Sequence, residues 1–223
     1  MSITAGFYLD PINPQKDPQW IKKRLGKVTA SRMMDVLDKT QKGVSGAKRK
    51  AYLAQLVYER LTNMAPDQYV SRDMQWGIDN EAAARSEYEF AHNIRVTLAD
   101  FTPHPDIAMS GASPDGLIYD KEGVFVMGLI EVKCPTSATH IQTLITEEIP
   151  EQYIPQMQWQ MSCTQTNFCD FISYDPRLPS SMRLWVKRLE RDDDVIAKLC
   201  TATIEMLAEV DQIINALQER YPS

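Results

Sequence analysis

The sequence predicts a single α/β domain in which a central sheet is flanked by helices. Two strand-like stretches, Ser113–Tyr119 and Val124–Lys133, are joined by a turn, and the second is largely apolar until it reaches Glu131. Apolar residues at helical spacing occupy residues 47–62 and the stretch from Asp192 onward. No repeat, low-complexity tract or linker interrupts the 223 residues, so we expect 1–223 to be one domain.

The first 91 residues are predicted to be mainly helical after an irregular start, in which Pro11 and Pro14 break any regular element. Asp17 followed by Pro18 predicts a helix start, and this helix ends at Gly26. Residues 29–31 open the next helix, which carries Met33, Met34 and Leu37 toward a core. Two longer helices are predicted at 47–62 and at about 71–91.

The rest of the chain alternates between strands and helices. Short strands are predicted at 94–98 and 105–110, ahead of the two strands described first, and helices follow at 137–145 and about 150–163. Further strands are predicted at 167–174 and 182–189. Asp192, Asp193 and Asp194 then cap a long amphipathic helix, because carboxylates complement the dipole at a helix N-terminus.

Composition limits the class of protein. Hydrophobic residues make up 43% of the chain and charged residues 24%, which is ordinary for a globular protein. No stretch reaches the roughly 20 apolar residues of a membrane helix, and the N-terminus lacks a signal-peptide pattern, so we expect a cytoplasmic protein without membrane contact. The four cysteines show no CxxC spacing and the three histidines are scattered, which argues against a zinc site or a disulfide framework.

Basic residues are concentrated near the N-terminus. Between Trp20 and Lys50 there are ten basic residues against two acidic ones, so this segment carries +8 and the remainder −14 of the total −6. A basic segment on an acidic protein marks a surface where a polyanion could bind. A solvated helix and loop would give the same pattern, so the charge alone does not decide between them.

The end of the second strand carries the residues with chemical potential. Glu131 and Lys133 lie two positions apart, so they point to the same face of the strand, about 6.5–7 Å apart. Asp115 supplies a second carboxylate from the neighbouring strand. Carboxylates with water and phosphate oxygens are the ligands that Mg²⁺ prefers, and a lysine beside them can orient water or stabilise charge on a reacting phosphate.

This arrangement matches the PD-(D/E)xK nuclease signature, here Pro114-Asp115 followed by Glu131-x-Lys133. On these residues alone, a turn followed by a surface ion pair remains an equally good interpretation, because Pro-Asp-Gly is a common turn and ExK occurs by chance in exposed strands. The apolar strand before Glu131 favours a buried site.

Six motifs in one order support the nuclease interpretation: Trp20…Arg24-Leu25-Gly26-x-x-Thr29-Ala30-Ser31, Trp76-Gly77-x-x-x-Glu81, Ser113-Pro114-Asp115-Gly116-Leu117, Leu129-Ile130-Glu131-Val132-Lys133-Cys134-Pro135, Tyr153-x-x-Gln156-x-Gln158 and Tyr174-Asp175-Pro176-Arg177. With them the chain resembles the lambda-type phage exonucleases, or YqaJ-like viral recombinase family, over roughly Trp20 to Leu189. The resemblance implies a restriction-endonuclease-like α/β core with a mixed central sheet flanked by helices.

The resemblance also implies an activity. Such enzymes are Mg²⁺-dependent exonucleases, in which Mn²⁺ can substitute, and they degrade one strand of linear duplex DNA from its 5′ end to mononucleotides. A 3′ single-stranded tail remains for a single-strand annealing protein. The resemblance further implies a homotrimeric ring acting on double-stranded DNA ends, and a phage or prophage protein in a bacterial host.

Site residues follow from the same resemblance. Asp115, Glu131, the Val132 carbonyl and Glu81 would hold the metal. Lys133 would orient the attacking water, and Gln156 and Tyr153 would lie near the scissile phosphate. The terminal 5′ phosphate and the DNA would be contacted by the candidates Arg24, Ser31, Thr29, Trp20, Lys48 and Arg49.

Two other functions remain open at this point. A related PD-(D/E)xK endonuclease or a RecB-like nuclease would share Asp115, Glu131 and Lys133 without needing a free DNA end. A non-enzymatic DNA-binding module would use the same carboxylates only as structural groups. Circular DNA as substrate distinguishes the first alternative, and a dependence on Mg²⁺ distinguishes the second.

Overall fold

The computed structural model describes residues 18–66 and 70–222. The predicted cap at Asp17 therefore lies outside the described residues. Helix α1 spans Pro18–Arg24 and stops two residues before Gly26, the predicted helix stop. Gly26 has a φ of +67°, a backbone conformation that glycine adopts without steric cost, and this explains why the helix ends there.

Five strands form the main sheet in the order β2-β5-β6-β7-β8. Strands β6 and β7 are parallel, with Glu131 opposite Phe171, and the other neighbours are antiparallel. The predicted mixed central sheet is therefore confirmed. The strands span Val96–Thr97 (β2), Gly116–Tyr119 (β5), Val126–Lys133 (β6), Phe168–Tyr174 (β7) and Leu184–Glu190 (β8).

A smaller sheet of three short strands has the order β1-β4-β3. Its strands are Val28–Thr29 (β1), Thr102–Pro103 (β3) and Ser110–Ala112 (β4). Strand β4 ends at Ala112, only a few residues before β5 begins at Gly116, so the linking residues 113–115 join the small sheet to the main sheet.

Within residues 18–66 and 70–222, six further α-helices pack around the two sheets, and the predicted long helices are confirmed. Three of them begin at a capping side chain: Ser71, Thr136 and Asp192 each accept a hydrogen bond from a backbone amide in the first turn. The helices are Met33–Val36 (α2), Ala47–Thr62 (α3), Arg72–His92 (α4), Ser137–Thr146 (α5), Ile154–Thr164 (α6) and Asp193–Arg220 (α7). No helix in the described part of the chain is long and apolar enough to cross a membrane.

The two faces of the main sheet bury different helices. Ile130 and Val132 of β6 pack with Ala84 and Tyr88 of α4. Leu129 lies on the opposite face, where it joins a cluster with the α6 methionines Met157 and Met161. Because side chains alternate along a strand, Glu131 and Lys133 share the face of Leu129 and therefore point toward α6.

Three details of the prediction are wrong. Residues 105–109 form a turn rather than a strand, because the Nδ1 atom of His104 accepts hydrogen bonds from the amides of Asp106 and Ile107. The helix expected from residues 29–31 is a short 3-10 turn, Ala30–Arg32, that leads into the four-residue α2. Met34 does not point into the core, since it is 45% exposed.

Candidate active site

Three chemically active side chains meet where β6 ends. Glu131 and Lys133 come from β6 itself, and Asp115 lies immediately before β5. The antiparallel register pairs Gly116 with Ile130, which brings Asp115 beside Glu131. The Oδ2 atom of Asp115 then accepts a hydrogen bond from the Val132 amide at 2.7 Å.

Glu131 is an almost completely buried carboxylate, with only 1% of its surface exposed. Its Oε1 atom forms an ion pair with Lys133 and accepts a hydrogen bond from Gln156 Nε2 at 2.5 Å. Its Oε2 atom accepts a hydrogen bond from Gln160 Nε2 at 2.6 Å. A buried charge is costly unless it is paired, and these three donors stabilise it.

Lys133 is held between opposite charges and an aromatic ring. Its Nζ atom lies 5.0 Å from the centroid of the Tyr153 ring, which itself stacks on Phe171 at 5.4 Å. Burial favours the neutral amine, but the carboxylates of Glu131 and Asp115 outweigh it and raise the pKa of Lys133. The side chain is therefore a fixed ammonium at neutral pH.

For the Asp115 carboxyl, in contrast to the Lys133 amine, the surroundings favour the neutral form. Burial and the neighbouring carboxylates of Glu131 and Glu81 raise its pKa well above the ordinary value, and the charge of Lys133 and the Val132 amide offset this only in part. Glu81 approaches from α4, where Arg85 contacts its Oε1 atom at 3.2 Å and also donates to the Asp115 carbonyl oxygen at 2.9 Å.

The donor set fits a hard divalent cation. Asp115, Glu131 and Glu81 are oxygen donors, and a cation beside them would offset both the burial and the carboxylate repulsion that raise the pKa of Asp115. As the side chains stand, no group of three or more His, Cys, Asp or Glu residues within 18–66 and 70–222 is arranged to hold a metal ion. Asp115 and Glu131 lie side by side at the end of β6, and the charge of Glu81 acts on Asp115 from α4.

A second polar cluster, which we call the Arg24 cluster, comprises Trp20, Arg24, Ser31 and Ser113 and lies close to these carboxylates. Ser113 Oγ accepts hydrogen bonds from Trp20 Nε1 at 3.0 Å and from Arg24 Nη1 at 3.1 Å. Arg24 also donates to Ser31 Oγ at 3.4 Å, and its guanidinium stacks over the Trp20 ring at 4.2 Å. Ser113 is two residues from Asp115, a distance of at most about 7 Å along the chain. Burial lowers the pKa of Arg24, so an anion there would be favourable.

The remaining predicted DNA contacts differ in their surroundings. Lys48 is exposed at the start of α3, where it can reach a polyanion. Thr29 is buried in β1, and its amide donates to the Tyr52 hydroxyl. Arg49 is 5% exposed and donates from both of its Nη atoms to Glu209 of α7, so its side chain holds α3 to α7. Arg49 therefore has a structural partner in this fold, and its contact with DNA stays a prediction.

Sequence reasoning missed three residues of the site: Gln160, Ser113 and Arg85. Gln160 lies one helical turn after Gln156, and this i,i+4 spacing places both amides on the face toward Glu131. Arg85 has the same spacing from Glu81. Ser113 opens a motif that had been identified for its aspartate alone, and no local pattern indicates its contact with Trp20.

Comparisons with known proteins identify what this chain is similar to. Residues 19–167 match the YqaJ-like viral recombinase domain. An alkaline exonuclease (LHK-Exo) from Laribacter hongkongensis is 42% identical, with 92% of this chain and 97% of that chain covered and a TM-score of 0.83. The same figures hold for its complex with dAMP. Among curated proteins, none matches.

A phage related exonuclease from Haemophilus somnus 129PT has the same fold, with 14% identity, a TM-score of 0.64 and coverage of 86% of this chain and 96% of that chain. The family domain spans more than half of the chain. It also includes the carboxylates, the lysine and the Arg24 cluster described above. The chain therefore belongs to the YqaJ-like viral recombinase family.

Proposed function

We propose that this chain is a Mg²⁺-dependent 5′-to-3′ exonuclease that degrades one strand of linear double-stranded DNA to mononucleotides and leaves a 3′ overhang. Its family supports a DNA exonuclease in general. One observation supports the more specific proposal that digestion starts at a DNA end. The Arg24 cluster and the carboxylates share the tripeptide Ser113–Asp115, so a chain end held by Arg24 would lie next to the reacting groups.

The metal would be bound through oxygen atoms at the carboxyl end of β6, where Asp115 lies beside Glu131. Asp115, Glu131, the Val132 carbonyl and Glu81 would hold Mg²⁺, for which Mn²⁺ can substitute. When bound, such an ion lowers the pKa of a coordinated water and neutralises charge that develops on the phosphate. Gln156 and Gln160 fix both oxygens of Glu131, so this carboxylate is oriented before the substrate arrives.

Lys133 supplies a positive charge beside the reacting phosphate. Its ammonium is pinned by Glu131 and packed against Tyr153, so it loses little conformational freedom when DNA binds. A donor that is already oriented stabilises charge in the transition state without reorganising. In this role Lys133 orients the attacking water and Tyr153 keeps the ammonium in position.

The Arg24 cluster would bind the terminal 5′ phosphate. A guanidinium presents a planar fork that matches phosphate oxygens, and a terminal phosphate carries more charge than an internal diester. Ser31 and Ser113 offer hydroxyls that already contact Arg24. Each cut creates a new 5′ phosphate, so binding it would draw the strand forward. The dAMP complex of the similar exonuclease is consistent with a site for a nucleoside monophosphate.

Assembly and partners extend the proposal. A homotrimeric ring around DNA would prevent dissociation between cuts, and homo-oligomers commonly close into rings. The 3′ tail would be passed to a single-strand annealing protein, in keeping with the recombinase family and with a phage or prophage origin. Light scattering at micromolar concentration is expected to give three times 25.4 kDa, and a monomer mass would contradict the ring.

End-labelled DNA tests the polarity. We expect wild-type protein with Mg²⁺ to release a label at the 5′ end of a linear duplex first, as a mononucleotide, and a label at the 3′ end of that strand last. A circular duplex of the same sequence is expected to stay intact, and Glu131→Gln protein is the control for contaminating nucleases. Release of the 3′ label first would contradict the polarity, and cleavage of the circle would favour the related endonuclease.

A further inference from the structure

Two motifs of the sequence, Trp76-Gly77 and Tyr174-Asp175-Pro176-Arg177, contact each other although neither is part of the site proposed above. The Arg177 guanidinium lies over the Trp76 ring, with Cζ 4.1 Å from the ring centroid. The contact joins the first half of α4 to the loop that follows β7.

Arg177 is fixed on its other side by a buried carboxylate. Asp175 is completely buried and accepts hydrogen bonds from Arg177 Nε at 2.7 Å and Nη2 at 2.9 Å. Ser137 at the start of α5 and the Arg177 amide also donate to Asp175. The bonds to Arg177 hold the pKa of Asp175 at about 2, so the carboxylate stays charged. The plane of the guanidinium is therefore held in one orientation, and the Trp76 ring stacks on it.

The two halves of α4 are anchored differently. In the second half, Tyr88 is buried and donates to Asp170, and Glu87 pairs with Arg183 at 3.0 Å. In the first half, among residues 72–80, only residues 76, 77 and 80 are even partly buried. The Trp76 indole nitrogen makes no hydrogen bond to the described residues. The first half of α4 is thus held by packing around one indole ring and its stack on Arg177.

The first half of α4 also extends past the end of the sheet. Tyr88 contacts Asp170 in the middle of β7, and Trp76 lies twelve residues earlier, which corresponds to about 18 Å along a helix. Only four residues of β7 follow Asp170, or about 13 Å of strand. Trp76 accordingly contacts Arg177, three residues beyond the end of β7, so this part of the helix lies at the carboxyl ends of β6 and β7, next to the candidate catalytic residues.

We propose that Arg177 is a positioning residue of the exonuclease reaction. Through Trp76 it holds the first half of α4 at the carboxyl ends of β6 and β7 and thereby contributes to the position of Glu81, which lies five residues after Trp76 and also contacts Arg85. This inference rests on the proposed function, because it assigns Glu81 to the site. It adds that a residue outside the site contributes to keeping that carboxylate in place.

Hydrogen exchange and kinetics together test the proposal. In Arg177→Ala and Trp76→Ala proteins without metal or DNA, we expect amide exchange in residues 72–81 to accelerate at least about tenfold, with residues 84–90 unchanged. We also expect kcat to fall about tenfold and the Mg²⁺ concentration for half-maximal rate to rise, because residues that orient a metal-binding side chain typically contribute about 10- to 100-fold. Trp76→Phe, which keeps an aromatic face, is expected to restore most of both properties.

Arg177→Lys separates positioning from stability. The lysine keeps a cation beside Asp175 but offers no planar face to Trp76, so exchange and kcat are expected to follow Arg177→Ala while the melting temperature stays close to wild type. Unchanged exchange in residues 72–81 would overturn the proposal. Faster exchange with kcat and KM within twofold of wild type would also overturn it and leave the stack purely structural. The exchange result does not depend on nuclease activity, so an inactive wild type would contradict the proposed function and the kinetic part of this inference, whereas the exchange would still test whether Arg177 holds the first half of α4.

Discussion

The carboxylate of Asp115 accepts a hydrogen bond from the backbone amide of Val132, with a distance of 2.7 Å between Oδ2 and the nitrogen. Val132 separates Glu131 from Lys133, so this one bond fixes Asp115 against the strand that carries the other two catalytic candidates. The backbone of β6 thereby sets the relative positions of all three side chains, and changes to any of them have distinct expected effects.

Removal of the Lys133 ammonium is expected to lower kcat without abolishing DNA binding. Lys133→Ala leaves the carboxylates in place but removes an oriented positive charge, a loss that typically costs about 10²–10³ in rate. Single-turnover digestion of linear duplex measures the effect, with exposed Lys121→Ala as the control. A change below about fivefold would remove Lys133 from the mechanism.

Gln160 is expected to affect catalysis through Glu131. Gln160→Leu removes the donor to Oε2 of Glu131 and leaves that oxygen without its buried partner, so we expect a rate about 10- to 100-fold lower. Gln158→Leu is a matched control on the same helix, because Gln158 bonds to Glu190 and Asp192 instead. The control is expected to lose stability while keeping its rate per folded molecule; equal losses of rate in both variants would contradict the assignment.

Arg24 is expected to distinguish DNA ends. Arg24→Ala should slow digestion of 5′-phosphorylated ends strongly and of 5′-hydroxyl ends little, because only the phosphate uses the guanidinium fork. Arg32→Ala is the control, since Arg32 stacks on Tyr52 and donates to Asp35 in the same basic segment. If Arg24→Ala slows digestion of 5′-phosphorylated and 5′-hydroxyl ends by the same factor, Arg24 contacts only the DNA backbone.

His104 is expected to make stability depend on pH. Burial lowers its pKa, with Asp106 opposing and Arg191 reinforcing the shift, and its Nδ1 atom already accepts two amide bonds. The folded state therefore binds this proton less readily than the unfolded chain. The free energy of unfolding is expected to fall as pH drops below about 6.5, toward the lowered folded pKa.

Replacement of His104 by asparagine tests this dependence. The asparagine oxygen can still accept from the turn but cannot titrate, so denaturant unfolding of His104→Asn is expected to lose less stability between pH 7 and pH 5 than wild type does. If the free energy of unfolding changes by the same amount between pH 7 and pH 5 in both proteins, His104 does not cause the pH dependence.

Much of the fold was predictable because local signals were strong. The N-caps Ser71 and Asp192, the helix stop at Gly26 and the apolar strand before Glu131 each determine local structure with little help from distant residues. The turn at 105–109 was missed because it depends on His104, whose ring bonds back to the chain. Hydrophobic periodicity contains no information about such a contact.

The site was predictable where its residues are close in sequence, as Glu131 and Lys133 are. The pairing of Arg49 with Glu209, which is 160 residues away, was not predicted because charge counting cannot distinguish a solvated arginine from a paired one. Ser113 was overlooked for a similar reason, since its partners Trp20 and Arg24 come from a distant helix. Long-range pairings of this kind follow only from the packed structure.

The comparison of wild type with Asp115→Asn tests the central claim most directly. Asparagine is nearly isosteric and can still accept the Val132 amide, but it removes the negative charge that the proposed metal requires. With Mg²⁺ and 5′-phosphorylated linear duplex, we predict that mononucleotide release by Asp115→Asn falls at least about 10²-fold while binding of the same DNA changes less than about threefold. Release within about fivefold of wild type would contradict the assignment of this edge of the sheet as the catalytic centre.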